Sequence, residues 1–159
     1  MKTLILTCGV PGSGKTTWAV NCAQNARHIS RDVVRFSMIT DNDEYFSREN
    51  EVFNSWIDQI QNALNSNDDT YQFVIADATH ITKRSRYKTL RNLNFDDLII
   101  IYFDVSLKTC LKRNAERNGR SFVPEDVIMD MYSKFEKPKE DEYGSPRIIR
   151  MSELDHCSI

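Results

Sequence analysis

The stretch Gly9-Val10-Pro11-Gly12-Ser13-Gly14-Lys15-Thr16 decides the fold, because it follows an apolar run and opens a segment with helical spacing. It matches the pattern G-x-x-x-x-G-K-[ST], in which glycines let successive backbone N–H groups turn inward around a polyphosphate. The positive end of the helix dipole adds to this attraction. The pattern therefore predicts a phosphate-binding loop between the first strand and the first helix.

The residues of this loop have distinct expected roles. Lys15 is expected to reach the outer phosphates of a nucleoside triphosphate and to take part in catalysis, and the Thr16 hydroxyl is expected to bind Mg²⁺. The predicted nucleotide cradle consists of Gly9, Pro11, Gly12, Ser13, Gly14, Lys15, Thr16 and Thr17. ATP and Mg²⁺ are therefore the expected cofactors.

Composition indicates an ordinary globular domain. The 159 residues are 40% hydrophobic and 28% charged, which predicts a single domain over 1–159. A net charge of −2 argues against broad non-specific binding to nucleic acid, so any polynucleotide must be held by a local basic patch. The cysteines and histidines show no metal-ligand spacing and there is no membrane-spanning stretch, which favours reduced thiols, no zinc site and a cytoplasmic location.

Apolar strands and amphipathic helices alternate along the chain. Helices are predicted at about 15–26, 43–64, 82–94, 107–118 and 124–135, and strands at 4–8, 28–30, 71–77, 98–105 and 147–151. The apolar face of the helix over 43–64 is expected to pack on the sheet, and the tail from Ser152 is expected to be poorly ordered. This order predicts a three-layer α/β fold of the P-loop NTPase type, with a parallel sheet of about five strands.

Two aspartates follow strands of this predicted sheet. In an open parallel sheet ligands bind outside the carboxyl ends of the strands, the edge that the phosphate loop also occupies. Asp32 is therefore expected beside the γ-phosphate. Asp77 ends an apolar strand, which predicts that it holds a Mg²⁺-bound water or orients a neighbouring cation, although an aspartate at that place also has a simple explanation in turn formation.

A segment over about 106–136 is predicted to form a helical lid. Arg113 and Arg117 share one helix face, and Arg120 follows just beyond. Arginines at this position favour contacts with the donor phosphates, with Arg117 assigned to catalysis and Arg113 to nucleotide binding. Favourable interaction with the helix dipole is the alternative explanation.

The helix over 82–94 is rich in basic residues. They are Lys83, Arg84, Arg86, Lys88 and Arg91. Such a run is typical of a solvated face. The residues nearest the active edge, Lys83, Arg84 and Arg86, are the alternative contacts for an acceptor strand.

Several stretches accompany the phosphate loop in order. They are Thr17-Trp18-Ala19, Arg31-Asp32 with Arg35, Ala76-Asp77-Ala78-Thr79-His80, residues 112–117, and residues 123–127 with Met131-Tyr132. Together they resemble the kinase domain of phage-type polynucleotide kinase. The resemblance implies that Asp32 is the general base and that Arg35 contacts the phosphates near the scissile bond. It also implies that Arg117 contacts the donor phosphates and that Asp77 supports the acceptor side.

The prediction from these residues is a Mg²⁺-dependent kinase that transfers the γ-phosphoryl group of ATP to a hydroxyl. The first-choice acceptor is the 5′-OH end of DNA or RNA, with no membrane or protein partner indicated. The alternatives are a kinase of a small-molecule hydroxyl and an NTP-driven switch. A GTPase switch would need Asn-Lys-x-Asp, which is absent. The phosphatase motif Asp-x-Asp-Gly-Thr of end-healing enzymes is also absent, so 3′-phosphatase activity is not expected.

Overall fold

A computed structural model describes residues 2–22 and 24–153. Over these residues the strands form one parallel sheet in the spatial order β2-β3-β1-β4-β5. The strands are β1 (Thr3–Cys8), β2 (Ala26–Ser30), β3 (Phe73–Asp77), β4 (Asp97–Tyr102) and β5 (Arg147–Arg150). The predicted α/β architecture with a five-stranded parallel sheet is confirmed, and β5 lies at its edge as the polar ends of that strand suggest.

Helices alternate with these strands. They are α1 (Lys15–Cys22), α2 (Arg31–Met38), α3 (Glu49–Asn65), α4 (Lys83–Leu90), α5 (Leu107–Ala115) and α6 (Glu125–Ser133). Short 3₁₀ helices lie at Gly119–Ser121 and Met151–Glu153. The predicted disordered tail thus begins with a 3₁₀ turn, and its remainder, 154–159, lies outside the described residues.

Four predicted helix boundaries are wrong. The helix expected over 15–26 ends at Cys22, because Ala26 already pairs with β3 as the first residue of β2. The helix expected from residue 43 begins at Glu49, because the Asp43 carboxylate accepts hydrogen bonds from the Thr40 amide and hydroxyl and closes a turn instead. The helices expected over 82–94 and 107–118 end at Leu90 and Ala115.

Helix α2 is the element that the sequence pattern did not reveal. It is only eight residues long and contains the β-branched pair Val33-Val34, which weakens the helical signal. The Ser30 hydroxyl caps it by accepting a hydrogen bond from the Val33 amide at 3.3 Å. The helix therefore starts directly at the end of β2 and presents Asp32 in its first turn.

The main core lies between α3 and one face of the sheet. Trp56, Ile60 and Leu64 are buried against strand residues such as Leu4 and Val74, so the predicted packing of this face is confirmed. Burying each such side chain contributes roughly 1.5–3 kcal/mol. On the opposite face, Trp18 and Ala19 of α1 pack on a second apolar cluster.

A third cluster lies beneath the phosphate loop. Val10, Ile81, Cys110 and Ile128 are buried together, and they come from the loop, the segment after β3, α5 and α6. The predicted lid helices therefore have an apolar foundation directly against the loop. This packing fixes α5 beside the place where phosphates are expected.

Candidate active site

The loop at 9–16 has the backbone that a phosphate cradle requires. Gly12 and Gly14 have φ angles of 85° and 92°, which disfavour residues with a side chain. A Cβ at Gly12 would lie 2.5 Å from the Cys110 carbonyl oxygen, and one at Gly9 would lie 2.5 Å from Ser13 Oγ. The Ser13 hydroxyl is buried and has no hydrogen-bond partner among the described residues. These features fit a bound polyphosphate.

Lys15 begins α1 and lies half-buried at the end of this loop. Burial lowers the pKa of its ammonium group. The nearby charges of Asp77 and Asp32 act in the opposite direction and raise this pKa, whereas the charge of Arg117 lowers it further. Lys15 thus lies within electrostatic range of both predicted carboxylates and of the lid arginine. An anion bound beside it would favour its charged form.

Asp77 is the centre of a buried hydrogen-bond network. Its Oδ2 accepts from Thr16 Oγ1 and from His28 Nε2, both at 2.8 Å, and its Oδ1 accepts from Thr7 Oγ1 at 3.2 Å. Burial alone would raise the pKa of Asp77, but His28, Lys15 and Thr16 lower it below its ordinary value. Asp77 is therefore an ionised carboxylate next to the loop.

This network fits a hydrated Mg²⁺ ion. The Thr16 hydroxyl uses its hydrogen toward Asp77, which leaves its oxygen lone pairs for a cation. Hard oxygen donors of this kind suit Mg²⁺, which keeps several waters and takes the rest of its ligands from phosphates. The described residues contain no cluster of three His, Cys, Asp or Glu side chains suited to a metal. Sequence reasoning missed His28 and Thr7, which lie on the two strands that flank β3 and reach Asp77 only in the folded sheet.

Asp32 lies at the start of α2 with a side chain that is 58% exposed. Its Oδ1 accepts hydrogen bonds from Tyr45 Oη at 2.6 Å and from Arg35 Nη1. Its Oδ2 accepts none from the described residues. One carboxylate oxygen is thus fixed by two donors, and the other has no protein donor among the described residues.

Arg35 is buried and bonds to the carboxylates of both Asp32 and Glu49. Its side chain is 4% exposed, and its Nη2 donates to both Glu49 oxygens at 2.8 and 2.9 Å. Its Nη1 donates to Asp32 and to Tyr45 Oη, and the Tyr45 ring covers its guanidinium at 4.2 Å. The phosphate contact that the resemblance implies for Arg35 stays a prediction. Tyr45 and Glu49 escaped sequence reasoning because they precede or begin a helix whose start was misplaced.

The lid arginines divide into two groups. Arg113 Nη1 donates to the Gly12 carbonyl oxygen at 3.3 Å, so this side chain reaches over the phosphate loop. Arg117 donates to the Ser121 carbonyl oxygen at 3.4 Å, and its charge lowers the pKa of Lys15. Arg120 points to the opposite side and contacts the end of α2. The structure therefore brings Arg113 into contact with the phosphate loop and Arg120 into contact with the end of α2, and the expected phosphate contact of Arg117 stays a prediction.

Arg86 is buried in an ion pair and is not available to an acceptor strand, which corrects one expectation for α4. Its side chain is 1% exposed, and it donates to both Glu142 oxygens at 2.8 and 3.0 Å and to the His80 carbonyl oxygen at 2.8 Å. The four other basic residues of this region are exposed and form no ion pair among the described residues. They are Lys83, Arg84, Lys88 and Arg91.

Residues 4–138 match the protein family described as AAA domain. The chain belongs to this family. The P-loop kinase type of domain predicted from the motifs is thereby confirmed, together with its fold. In the part of the AAA domain that the structure describes, no helix combines the length and the apolar character needed to cross a bilayer.

One curated relative aligns with most of this AAA domain. It is 26% identical over 144 residues to the L-seryl-tRNA(Sec) kinase of Methanococcus maripaludis, an alignment that covers 85% of this chain and 53% of the relative. The chain thus spans about half the length of that curated relative.

Solved structures share the fold at low sequence identity. A chain of the Pnkp1/Rnl/Hen1 RNA repair complex has a TM-score of 0.64 at 23% identity, with 84% of this chain and 43% of that chain covered. A gluconokinase from Sinorhizobium meliloti 1021 has a TM-score of 0.59 at 20% identity, with 94% and 81% covered. A fungal RNA kinase has a TM-score of 0.57 at 17% identity, with 94% and 74% covered.

Proposed function

We propose that this domain is a Mg²⁺- and ATP-dependent kinase that transfers the γ-phosphoryl group to the 5′-OH end of DNA or RNA. The observation that carries the proposal is the position of Asp32. Its carboxylate lies at the same sheet edge as the phosphate loop, with Oδ1 held by Tyr45 and Arg35 and Oδ2 open. We also propose a cytoplasmic location, since the cysteine pattern favours reduced thiols.

On the donor side, the loop from Gly9 to Thr17 would hold the phosphates of ATP. Thr16 and Asp77 would hold Mg²⁺, directly or through water, and the ion would supply charge neutralisation between the phosphates. Lys15, Arg113 and Arg117 would bind oxygens of the donor and stabilise the charge that develops on the transferring group. Arg117 is proposed for this last role on the resemblance of residues 112–117 to the kinase domain of phage-type polynucleotide kinase.

On the acceptor side, Asp32 Oδ2 would accept the hydrogen of the attacking hydroxyl and finally its proton. Phosphoryl transfer depends mainly on positioning and charge, so a general base of this kind contributes about 10²–10⁴ in rate. The two donors on Oδ1 fix the direction of the carboxylate. Arg35 and Glu49 are thus proposed to act through Asp32 as positioning residues.

Aromatic side chains beside Asp32 support an acceptor that carries a base. Phe36 and Phe46 both pack edge to face on Tyr45, with ring centroids 6.1 and 4.6 Å away, and Phe46 is 64% exposed. Stacking of a base on an aromatic ring contributes about 1–3 kcal/mol. A sugar acid as acceptor would need unpaired cations beside Asp32 to bind its carboxylate. Arg31 and Arg35, however, both form ion pairs with Glu49.

A small-molecule hydroxyl is the second candidate acceptor. The fold likeness to the gluconokinase extends over most of both chains. The burial of Arg86 also removes one of the three cations expected to hold a strand. The exposed residues Lys83 and Arg84 remain as the candidates for binding the phosphates that follow the terminal nucleoside.

The experiment is transfer of labelled γ-phosphate to a panel of hydroxyl acceptors at several salt concentrations. We expect 5′-OH oligonucleotides to be phosphorylated with a KM that rises steeply with salt, because each neutralised phosphate releases counterions. The double variant Lys83→Ala/Arg84→Ala should lower the slope by about 0.7 for each lost phosphate contact on a single strand. Arg27→Ala, an exposed cation near the amino end of β2, is the matched control and should leave the slope unchanged. Phosphorylation of a nucleoside or sugar alone, at a salt-insensitive KM, would replace the polynucleotide proposal with the small-molecule one.

A further inference from the structure

Arg120 connects the lid to the far side of the site through three contacts. Its Nη1 donates to the Ile39 carbonyl oxygen at 3.2 Å, and its Nε lies 3.1 Å from Asp41 Oδ1. Its guanidinium also lies 4.5 Å from the centroid of the Phe36 ring. Ile39 follows α2 directly, so the lid is tied to the helix that carries the proposed general base.

The contacts continue from Phe36 to Asp32. The Phe36 ring packs edge to face on Tyr45 with centroids 6.1 Å apart, and Tyr45 Oη donates to Asp32 Oδ1 at 2.6 Å. We call Arg120, Phe36 and Tyr45 the Arg120 bridge. The bridge ends on the oxygen that fixes the direction of the Asp32 carboxylate.

On the lid side, Arg120 and Arg117 share one short loop. Asn114 closes the base of this loop, because its amide nitrogen donates to the Val123 carbonyl oxygen at 2.6 Å and its Oδ1 accepts from the Val123 amide at 3.0 Å. Within the loop, Arg117 donates to the Ser121 carbonyl oxygen at 3.4 Å. Arg120 lies at the tip of this loop and makes the contacts that join the tip to α2 and the segment after it.

We propose that Arg120 is a positioning residue that ties the loop bearing Arg117 to the segment that holds Asp32. This inference rests on the proposed function, in which Arg117 stabilises the donor phosphates and Asp32 activates the acceptor. Arg120 sets the two groups relative to each other without itself touching a substrate. It therefore links closure of the lid to the geometry of the acceptor side.

The bridge is suited to opening and closing because its contacts lie near the surface. The side chains of Arg120 and Asp41 are 42% and 83% exposed, and ion pairs between exposed groups contribute little by themselves. The hydrogen bond from Arg120 to the Ile39 carbonyl oxygen and the cation–π contact of Arg120 with Phe36 stabilise the bridge in addition to this ion pair. Loss of Arg120 should therefore weaken the arrangement of the lid without unfolding the domain.

The kinetic test compares Arg120→Ala with the wild type. We expect kcat to fall about three- to tenfold with the KM for ATP changed less than about twofold, since the phosphate loop is untouched. Arg120→Lys should recover part of the loss, because it keeps the charge opposite Asp41. In an Arg117→Ala background, Arg120→Ala should have almost no further effect. An unchanged kcat, or the same fold loss in both backgrounds, would overturn the proposal.

A second measurement does not depend on activity. Arg120→Ala should speed amide hydrogen exchange in residues 116–122 while leaving exchange in the loop 9–16 unchanged. Lys134→Ala is the matched control, because it removes another exposed ion pair, with Asp130 on α6, outside the bridge. If the wild type phosphorylates no acceptor, the proposed function fails but this arm still tests the bridge. Equal exchange in Arg120→Ala and Lys134→Ala would overturn the bridge itself.

Discussion

His80 is a buried residue whose protonation the fold opposes. It has a positive φ of 44°, and its ring is held between the Thr7 carbonyl oxygen, 2.9 Å from Nδ1, and Thr89 Oγ1, 3.0 Å from Nε2. A carbonyl oxygen only accepts, so Nδ1 carries the hydrogen and Nε2 accepts from the threonine hydroxyl. Burial lowers the pKa of His80 to about 4.

This shift predicts a loss of stability in mild acid. The pKa is lower in the folded state than in the unfolded chain, so the unfolded chain binds more protons between about pH 6.5 and pH 4. The free energy of unfolding should therefore fall as pH drops through this range, by up to about 3 kcal/mol from His80. Urea denaturation at a series of pH values measures the fall.

The variant His80→Asn isolates this contribution. Asparagine tolerates a positive φ and does not titrate, so the variant should show a shallower decline between pH 6.5 and pH 4 than the wild type. Both proteins should also lose stability as carboxylates with lowered pKa values, such as Asp77 and Glu142, become protonated. Parallel curves for the two proteins would contradict the assignment to His80.

Among the elements, helix α4 carries both buried and exposed basic residues. Arg86 points inward to Glu142 and the His80 carbonyl oxygen, whereas Lys83 and Arg84 point to solvent. Glu142 belongs to the segment before β5, so this ion pair fixes that segment against the helix. Burial raises the pKa of Glu142, but the hydrogen bonds from Arg86 and from the Lys139 amide lower it below its usual value.

Arg86→Ala is therefore expected to destabilise the domain. Removing one partner of a buried ion pair leaves the other charge uncompensated, which costs roughly 3–5 kcal/mol in the free energy of unfolding. Arg84→Ala, the exposed neighbour on the same helix, should change it by less than about 0.5 kcal/mol. Urea denaturation compares the two variants, and the double variant Arg86→Met/Glu142→Met should be more stable than Arg86→Ala. Equal stability of Arg84→Ala and Arg86→Ala would refute a structural role for the pair.

Elements with strong local signals were predictable, and those that depend on distant partners were not. The phosphate loop, the apolar strands and the core face of α3 follow from spacing alone. The burial of Arg86 depends on Glu142, 56 residues away, which no periodicity reveals. In the site, Lys15, Asp32 and Asp77 could be placed at one edge from strand order. The network of Tyr45 and Glu49 could not, because the turn over 41–48 brings it back beside α2.

At the scale of the whole molecule, the order of the strands gathers the proposed chemistry at one edge. The central strand β1 leads into the phosphate loop, and β3 and β2 beside it end at Asp77 and just before Asp32. The lid is packed on the loop through the cluster of Val10, Cys110 and Ile128. The groups proposed to bind donor, metal and acceptor thus come from separate stretches of the chain and meet only in the folded domain.

The central claim is that Asp32 activates an acceptor hydroxyl for transfer of the γ-phosphoryl group. The most direct measurement determines ATP affinity and single-turnover transfer of labelled γ-phosphate to a 5′-OH oligonucleotide for the wild type and Asp32→Asn. Asparagine can still accept from Tyr45 and Arg35 but cannot take a proton, so transfer should fall about 10²–10⁴-fold with ATP affinity unchanged. Lys15→Ala, which alters the donor side, serves as the contrasting variant and should lower transfer through the donor phosphates. Transfer by Asp32→Asn at the wild-type rate, or a loss of ATP affinity that matches the loss of transfer, would contradict the account.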